Sequence, residues 1–194
     1  MNHPKKRIAI FISGRGSNMK AIAEQVQHGI LKNCCEIVLV FSNKKDAKGL
    51  QTASEMGIET AFIASKGKKR QTFDQKVIDF VEPLHLDYII LAGYMRILSP
   101  LFTRHFAKKI INIHPADTRL HQGLHAYEWA FETKRKETCI TGHFVKEGVD
   151  TGEIIAQQTV DLNGVQSLEE VEMRGLKTEH WFYSEVLRDL FLEG

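Results

Sequence analysis

Ile8-Ala9-Ile10-Phe11-Ile12-Ser13-Gly14-Arg15-Gly16-Ser17-Asn18 is the stretch that decides the fold. Five consecutive apolar residues, mostly β-branched or aromatic, suit a strand covered on both faces. The run stops at a turn with two glycines, and the apolar residues beyond it fall at helical spacing. Strand, glycine turn and helix in that order open a βαβ unit, the element that builds parallel sheets.

Outward from this stretch the same alternation continues to residue 114. It predicts strands at residues 7–13, 36–42, 59–63, 88–92 and 110–114, with helices near 18–28, 48–56, 69–81 and 99–105. In the third helix Phe73, Val77, Phe80 and Val81 share a face opposite charged residues. The third strand is shorter and more polar than the others, which places it nearer an edge. Beyond His114 a loop-rich stretch precedes two runs at residues 139–146 and 153–161, and the short Glu147-Gly148-Val149-Asp150-Thr151-Gly152 link between them can join only antiparallel neighbours. Ser167 and Glu170 have the spacing of a capping box opening a last helix to about residue 192, with Phe182, Val186 and Leu190 toward the core. The expectation is an α/β fold over residues 1–194 as a single domain: an open Rossmann-like mixed sheet, mostly parallel with antiparallel C-terminal strands, helices on both faces and a long C-terminal helix. Residues 1–114 form its βαβ part and 115–194 the remainder.

Composition agrees. With 43% hydrophobic residues in 194, the chain can bury one substantial core, and no repeat or linker divides it. A formal net charge of +2, with basic residues scattered among acidic ones, argues against nucleic-acid or membrane-surface binding and suits a small anionic ligand. The longest apolar runs, residues 8–12 and 37–41, fall far short of the roughly 20 needed to cross a bilayer. Met1-Asn2-His3-Pro4-Lys5-Lys6-Arg7 and the short run after it lack the pattern of a signal peptide, so a cytoplasmic location is expected. The three cysteines, two of them adjacent at Cys34 and Cys35, match neither a metal-ligand spacing nor a disulfide framework, so reduced thiols and no metal are expected. The sequence leaves monomer and homodimer equally open.

Two constellations carry chemistry. Gly14, Gly16, Ser17 and Asn18 lie where free backbone N–H groups and a helix dipole can hold a phosphate. The third glycine of a dinucleotide loop is replaced by Met19, which disfavours NAD. The same residues also read as a plain glycine turn with Ser17 as helix cap. The second constellation is Asn112-Ile113-His114 at the end of a strand. Side chains two apart on a strand share a face, and ligands bind beyond the carboxyl ends of such strands. Asp150 can orient the imidazole of His114 and raise its pKa. Such a trio suits acyl or formyl transfer to an amine, since amide and imidazolium N–H groups stabilise an oxyanion and a His–Asp pair moves protons. A strand end, a satisfied core histidine and a turn aspartate would give the same residues.

Taken in order, Ile12-Ser13-Gly14-Arg15-Gly16-Ser17-Asn18, Leu91-Ala92-Gly93-Tyr94-Met95-Arg96-Ile97-Leu98-Ser99, Asn112-Ile113-His114-Pro115, Gly123-Leu124-His125, and His143-Phe144-Val145 with Asp150-Thr151-Gly152 resemble the phosphoribosylglycinamide formyltransferases (glycinamide ribonucleotide transformylases) of the folate-dependent formyltransferase superfamily. The resemblance implies that 10-formyltetrahydrofolate gives its formyl group to the amine of glycinamide ribonucleotide in purine biosynthesis, with no metal and no covalent intermediate. It implies Asn112, His114 and Asp150 as the catalytic trio and Gly16, Ser17 and Asn18 as the phosphate loop. Met95, Arg96, Ile97 and Leu98 match the wall that receives the folate, with Val149 of the loop before Asp150. Pro115, His125 and Glu179 match other substrate-binding positions, Glu179 resembling the glutamate that binds the ribose hydroxyls. Arg96 and Glu179 also read as ordinary surface residues, while His121, His125 and Tyr127 either line the site or fill a loop, and only His125 is placed near the active centre.

Two departures from the family pattern stand out. Ala116-Asp117-Thr118-Arg119 follows the Asn-x-His-Pro motif where the family has Ser-Leu-Leu-Pro, which puts charge in a turn expected beside the acceptor. That change motivates an alternative acceptor, an amino sugar nucleotide or water, for the same donor. Gly142 replaces an apolar strand residue and is expected to loosen packing.

Overall fold

The computed structural model describes residues 4–193, so the reading of Met1, Asn2 and His3 lies outside the described residues. β1 (Lys6–Ile12) is the buried strand expected from the opening sequence, with Ile8, Ala9, Ile10, Phe11 and Ile12 fully buried. It stands inside a seven-stranded sheet of order β3-β2-β1-β4-β5-β6-β7, with β2 (Cys35–Ser42), β3 (Thr60–Phe62), β4 (Tyr88–Leu91), β5 (Ile110–His114), β6 (Glu137–Phe144) and β7 (Ile154–Asp161). β1 to β5 pair in parallel, and β6 and β7 run antiparallel, as the short link between them requires. The short third strand lies at the edge.

The two faces of β1 separate the core. Ile8, Ile10 and Ile12 pack on the side of α1 (Ser17–His28), α2 (Lys48–Glu55), α5 (Ala126–Glu132) and α6 (Leu168–Glu193), while Ala9 and Phe11 pack on α3 (Arg70–Val81) and α4 (Pro100–His105). Burying each such Ile or Phe contributes about 1.5–3 kcal/mol. The chain crosses to one side of β1 for β2 and to the other for β4, which opens a crevice at the carboxyl ends of β1, β4 and β5. Tyr183 of α6, fully buried, ties β4 to β5: its hydroxyl lies 3.0 Å from the carbonyls of both Leu91 and Ile111. No helix among the described residues is long and apolar enough to cross a membrane.

Several expectations need correction. α5 falls in the stretch read as loop; at seven residues, after a left-handed His125, it is too short for a clear period. Phe80 is 42% exposed, and Ile78 takes the inner face of α3. Gly142 stands at a register shift between β6 and β7, and a Cβ there would press on Val186 of α6 at 3.1 Å: the glycine admits the helix. The cap of α1 is Gly16 rather than Ser17. The capping box of α6 is half as expected: the Glu170 N–H donates to Ser167 Oγ at 3.3 Å, but the Glu170 carboxylate reaches the N–H of Gln166 instead of that of Ser167.

Candidate active site

Strand pairing builds the centre. Asn112 and His114 occupy alternate positions at the end of β5, and register with β6 sets His143 directly opposite Asn112. Asp150 comes to the same face from the loop between β6 and β7, in a left-handed conformation with φ 50°. Its carboxylate is a hub: Oδ2 lies 3.3 Å from His114 Nδ1 and accepts the Gly123 N–H at 2.9 Å, while Oδ1 lies 3.3 Å from Asn112 Nδ2 and 3.4 Å from His143 Nε2. His143 is not among the expected site residues; the motif His143-Phe144-Val145 marks its segment, and the register of β6 against β5 brings the ring to the centre.

The partners assign the protons. His114 Nε2 faces the His121 carbonyl at 3.1 Å and must carry a hydrogen there, so the proton that His114 gains or loses sits on Nδ1, against Asp150. His143 Nδ1 faces the Phe144 carbonyl at 2.9 Å and is likewise protonated. Burial pushes the His114 pKa below the ordinary histidine value, against the opposing pull of Asp150. Burial also acts to raise Asp150, yet the His143 contact, the charge of His114 and the Gly123 N–H together hold its carboxyl below the usual range.

The centre opens into a cleft of about 520 Å³. Asn112, His114, Pro115, His125 and Asp150 line it, as do Met95, Arg96, Ile97, Leu98 and Val149. Met95, Ile97, Leu124 and Val149 are exposed large apolar residues gathered around this one opening, a pattern that marks a ligand surface more than a fold requirement. Ser13 anchors the wall: its hydroxyl accepts the Met95 N–H at 2.7 Å and donates to Asn43 at 2.6 Å. Arg96 lines the cleft, but its guanidinium lies 4.5 Å from the centre of the Phe73 ring and donates to the Lys68 carbonyl at 3.2 Å. His125 is tied at the rim to Glu128 at 2.8 Å.

Gly16, Ser17, Asn18 and Glu179 do not line this cleft. Gly16 has φ 75°, and a Cβ on it would fall 2.9 Å from Gly49 Cα, so the loop at the start of α1 needs glycine on both counts. Asn18 is buried and its Nδ2 donates to Glu179 Oε2 at 2.6 Å. The departing turn also lies elsewhere than expected. Ala116 is fully buried, and Asp117 and Arg119 pair with each other beside a separate depression of about 260 Å³ formed with Trp129, Arg135 and Gln157. Hydrogen bonds from Arg119 hold the Asp117 carboxyl down at about 2. Among the described residues no group of three or more His, Cys, Asp or Glu could hold a metal ion.

A family described as formyl transferase matches residues 6–187. Phosphoribosylglycinamide formyltransferase of Haemophilus influenzae is 40% identical over 190 residues, covering 97% of this chain and 88% of the relative. The trifunctional purine biosynthetic protein adenosine-3 of Drosophila pseudoobscura pseudoobscura is 37% identical over 188 residues, and the chain spans only 14% of its length. Glycinamide ribonucleotide transformylase 1 from Symbiobacterium toebii superposes with a TM-score of 0.91 at 32% identity, over 97% of this chain and 89% of that one. The corresponding values for phosphoribosylglycinamide formyltransferase from Brucella melitensis are 0.89 and 36%, over 97% and 96%. With matching sequence over most of its length and a fold that superposes on those structures, the chain belongs to the formyl transferase family, in its phosphoribosylglycinamide formyltransferase branch.

Proposed function

We propose that this chain, as a single domain over residues 1–194, transfers the formyl group of 10-formyltetrahydrofolate to the amine of glycinamide ribonucleotide in de novo purine biosynthesis. The observation that carries the reading is the Asp150 carboxylate 3.3 Å from His114 Nδ1 and 3.3 Å from Asn112 Nδ2 at the mouth of an apolar cleft. A cleft of about 520 Å³ walled by Met95, Ile97, Leu98 and Val149 suits a bicyclic heteroaromatic ring on an extended arm. The donor supplies the formyl carbon that the neutral amine attacks. As that C–N bond forms, Asn112 Nδ2 donates to the formyl oxygen, and the positive charge of protonated His114 stabilises the negative charge that develops there. Asp150 draws a proton to Nδ1 of the imidazole, against the opposing effect of burial, and helps the proton released by the amine toward the folate nitrogen as its bond to the formyl carbon breaks. Gly16, Ser17 and Asn18 hold the acceptor's phosphate at the start of α1, Glu179 reads its ribose, Pro115 and His125 border it, and Arg96 borders the folate. The substrates are small molecules, the location is cytoplasmic, no metal takes part, and the chain acts as monomer or homodimer.

Purified protein given both substrates is expected to form formylglycinamide ribonucleotide, and His114→Ala is expected to lower kcat/KM by at least about a hundredfold. Free formate released from donor alone at the rate of transfer would replace this reading with hydrolysis. Nothing in the placement of Asp117 and Arg119, turned to a separate depression, favours another acceptor.

A further inference from the structure

Beside the cleft, three elements distant in sequence meet around one buried carboxylate. Glu179 on α6 is 5% exposed; its Oε2 accepts from Asn18 in the glycine loop at 2.6 Å, and its Oε1 accepts from the hydroxyl of Tyr127 on α5. The phenol ring lies over Gly175, one helical turn before Glu179, where any Cβ would overlap the ring and its oxygen. Shape thus seats the ring, and a hydrogen bond sets the hydroxyl. Asn18 Oδ1 is buried without a partner, while the amide's nitrogen is held. A carboxylate costs free energy to bury unless donors surround it, and here the donors are Tyr127 and Asn18. Burial pushes the Glu179 carboxyl up, and both donors oppose that rise.

We propose that Tyr127 is a positioning residue for the acceptor: its hydroxyl fixes Glu179, Glu179 fixes Asn18, and Asn18 sets the loop at the start of α1 that receives the phosphorylated sugar. The proposal rests on the formyl-transfer reading above and names how its acceptor end is organised. An asparagine side chain has several rotamers, and one bond to a fixed carboxylate removes that freedom before the ligand arrives. The carboxylate has lone pairs beyond the two in use, so it can hold Tyr127 and Asn18 and still accept a sugar hydroxyl. The segment that carries Tyr127 also presents the His121 carbonyl to His114 and the Gly123 N–H to Asp150, so one stretch of chain seats both ends of the site.

Tyr127→Phe keeps the ring over Gly175 and deletes only the O–H. Removing a donor from a buried carboxylate is expected to raise both KM and the calorimetric Kd for glycinamide ribonucleotide about tenfold, with kcat and the donor KM within about twofold. Gly175→Ala, which displaces the ring but leaves the hydroxyl, is expected to give the same acceptor-selective loss. A merely structural Tyr127 would lower the melting temperature and leave the acceptor KM and Kd where they were; that result, or an equal loss for both substrates, overturns the proposal. Wild-type protein that binds the ribonucleotide but transfers no formyl group would remove the proposed function, and the Kd ratio would still decide the role of Tyr127. Wild-type protein that does not bind the ribonucleotide removes both.

Discussion

Replacing Asp150 by asparagine changes one oxygen to an NH2 group and deletes one charge, and both changes act on His114. At 3.3 Å, with an effective dielectric near 20, the carboxylate attracts a protonated imidazole by about 5 kcal/mol. If water and rearrangement return about half of that, about 2.5–3 kcal/mol is lost from the charged transition state, roughly a hundredfold in kcat/KM. The amide also aims a donor at a spot now surrounded by donors, since the Gly123 N–H, His114 Nδ1 and Asn112 Nδ2 all face the carboxylate. The charge of Asp150 raises the His114 pKa, so its removal lowers it, and the limb where activity falls as His114 loses its proton moves toward acid. Initial rates in both substrates across pH, together with NMR titration of the His114 ring, measure the two effects. Wild-type turnover in Asp150→Asn, or a limb displaced toward alkali, would refute the reasoning.

Three further outcomes are expected. Tyr183→Phe removes a buried hydroxyl whose one hydrogen is shared between carbonyls of β4 and β5, and should lower unfolding free energy in urea by about 1–3 kcal/mol. The Cys35 thiol, pushed up to about 12 by burial, should resist thiol reagents at pH 8 in the native protein and react once urea exposes it, as timed labelling and mass spectrometry would reveal. Stability should fall as pH drops below neutral: His114 and Asp150 both have folded pKa values below their ordinary ones, so the unfolded chain binds more protons in both windows, first near the histidine range and then below the carboxylate range. Asp117 extends the loss down to about pH 2. Melting temperatures constant between pH 7 and 4 would contradict this.

The parallel half of the fold is legible because each strand of it except β3 is a dense apolar run closed by turn residues, and burial on both faces leaves no other use for such runs. α5 escapes because seven residues give too little period, and Phe80 is misplaced because five apolar residues in α3 compete for a face that buries four. In the site, the pairing of Asn112 and His114 follows from strand alternation alone, and Asp150 is a candidate because its loop can carry a carboxylate toward the imidazole. His143 and Tyr127 belong to another category. Their places depend on the register of β6 against β5 and on a gap at Gly175, both properties of assembled elements and not of local sequence. For the same reason the turn at residues 116–119 suggested a charged acceptor site, although its charges close on each other elsewhere.

α6 has a consequence for how the molecule comes into being. This helix covers the side of the sheet carrying Ile8, Ile10 and Ile12, braces two strands through Tyr183 and supplies Glu179 to the first glycine turn. During synthesis that flank is therefore only partly covered, by α1, α2 and α5, until residues 168–193 have left the ribosome. A nascent chain stalled at residue 167 is expected to expose the part of that flank which α6 covers, the kind of surface that recruits chaperones.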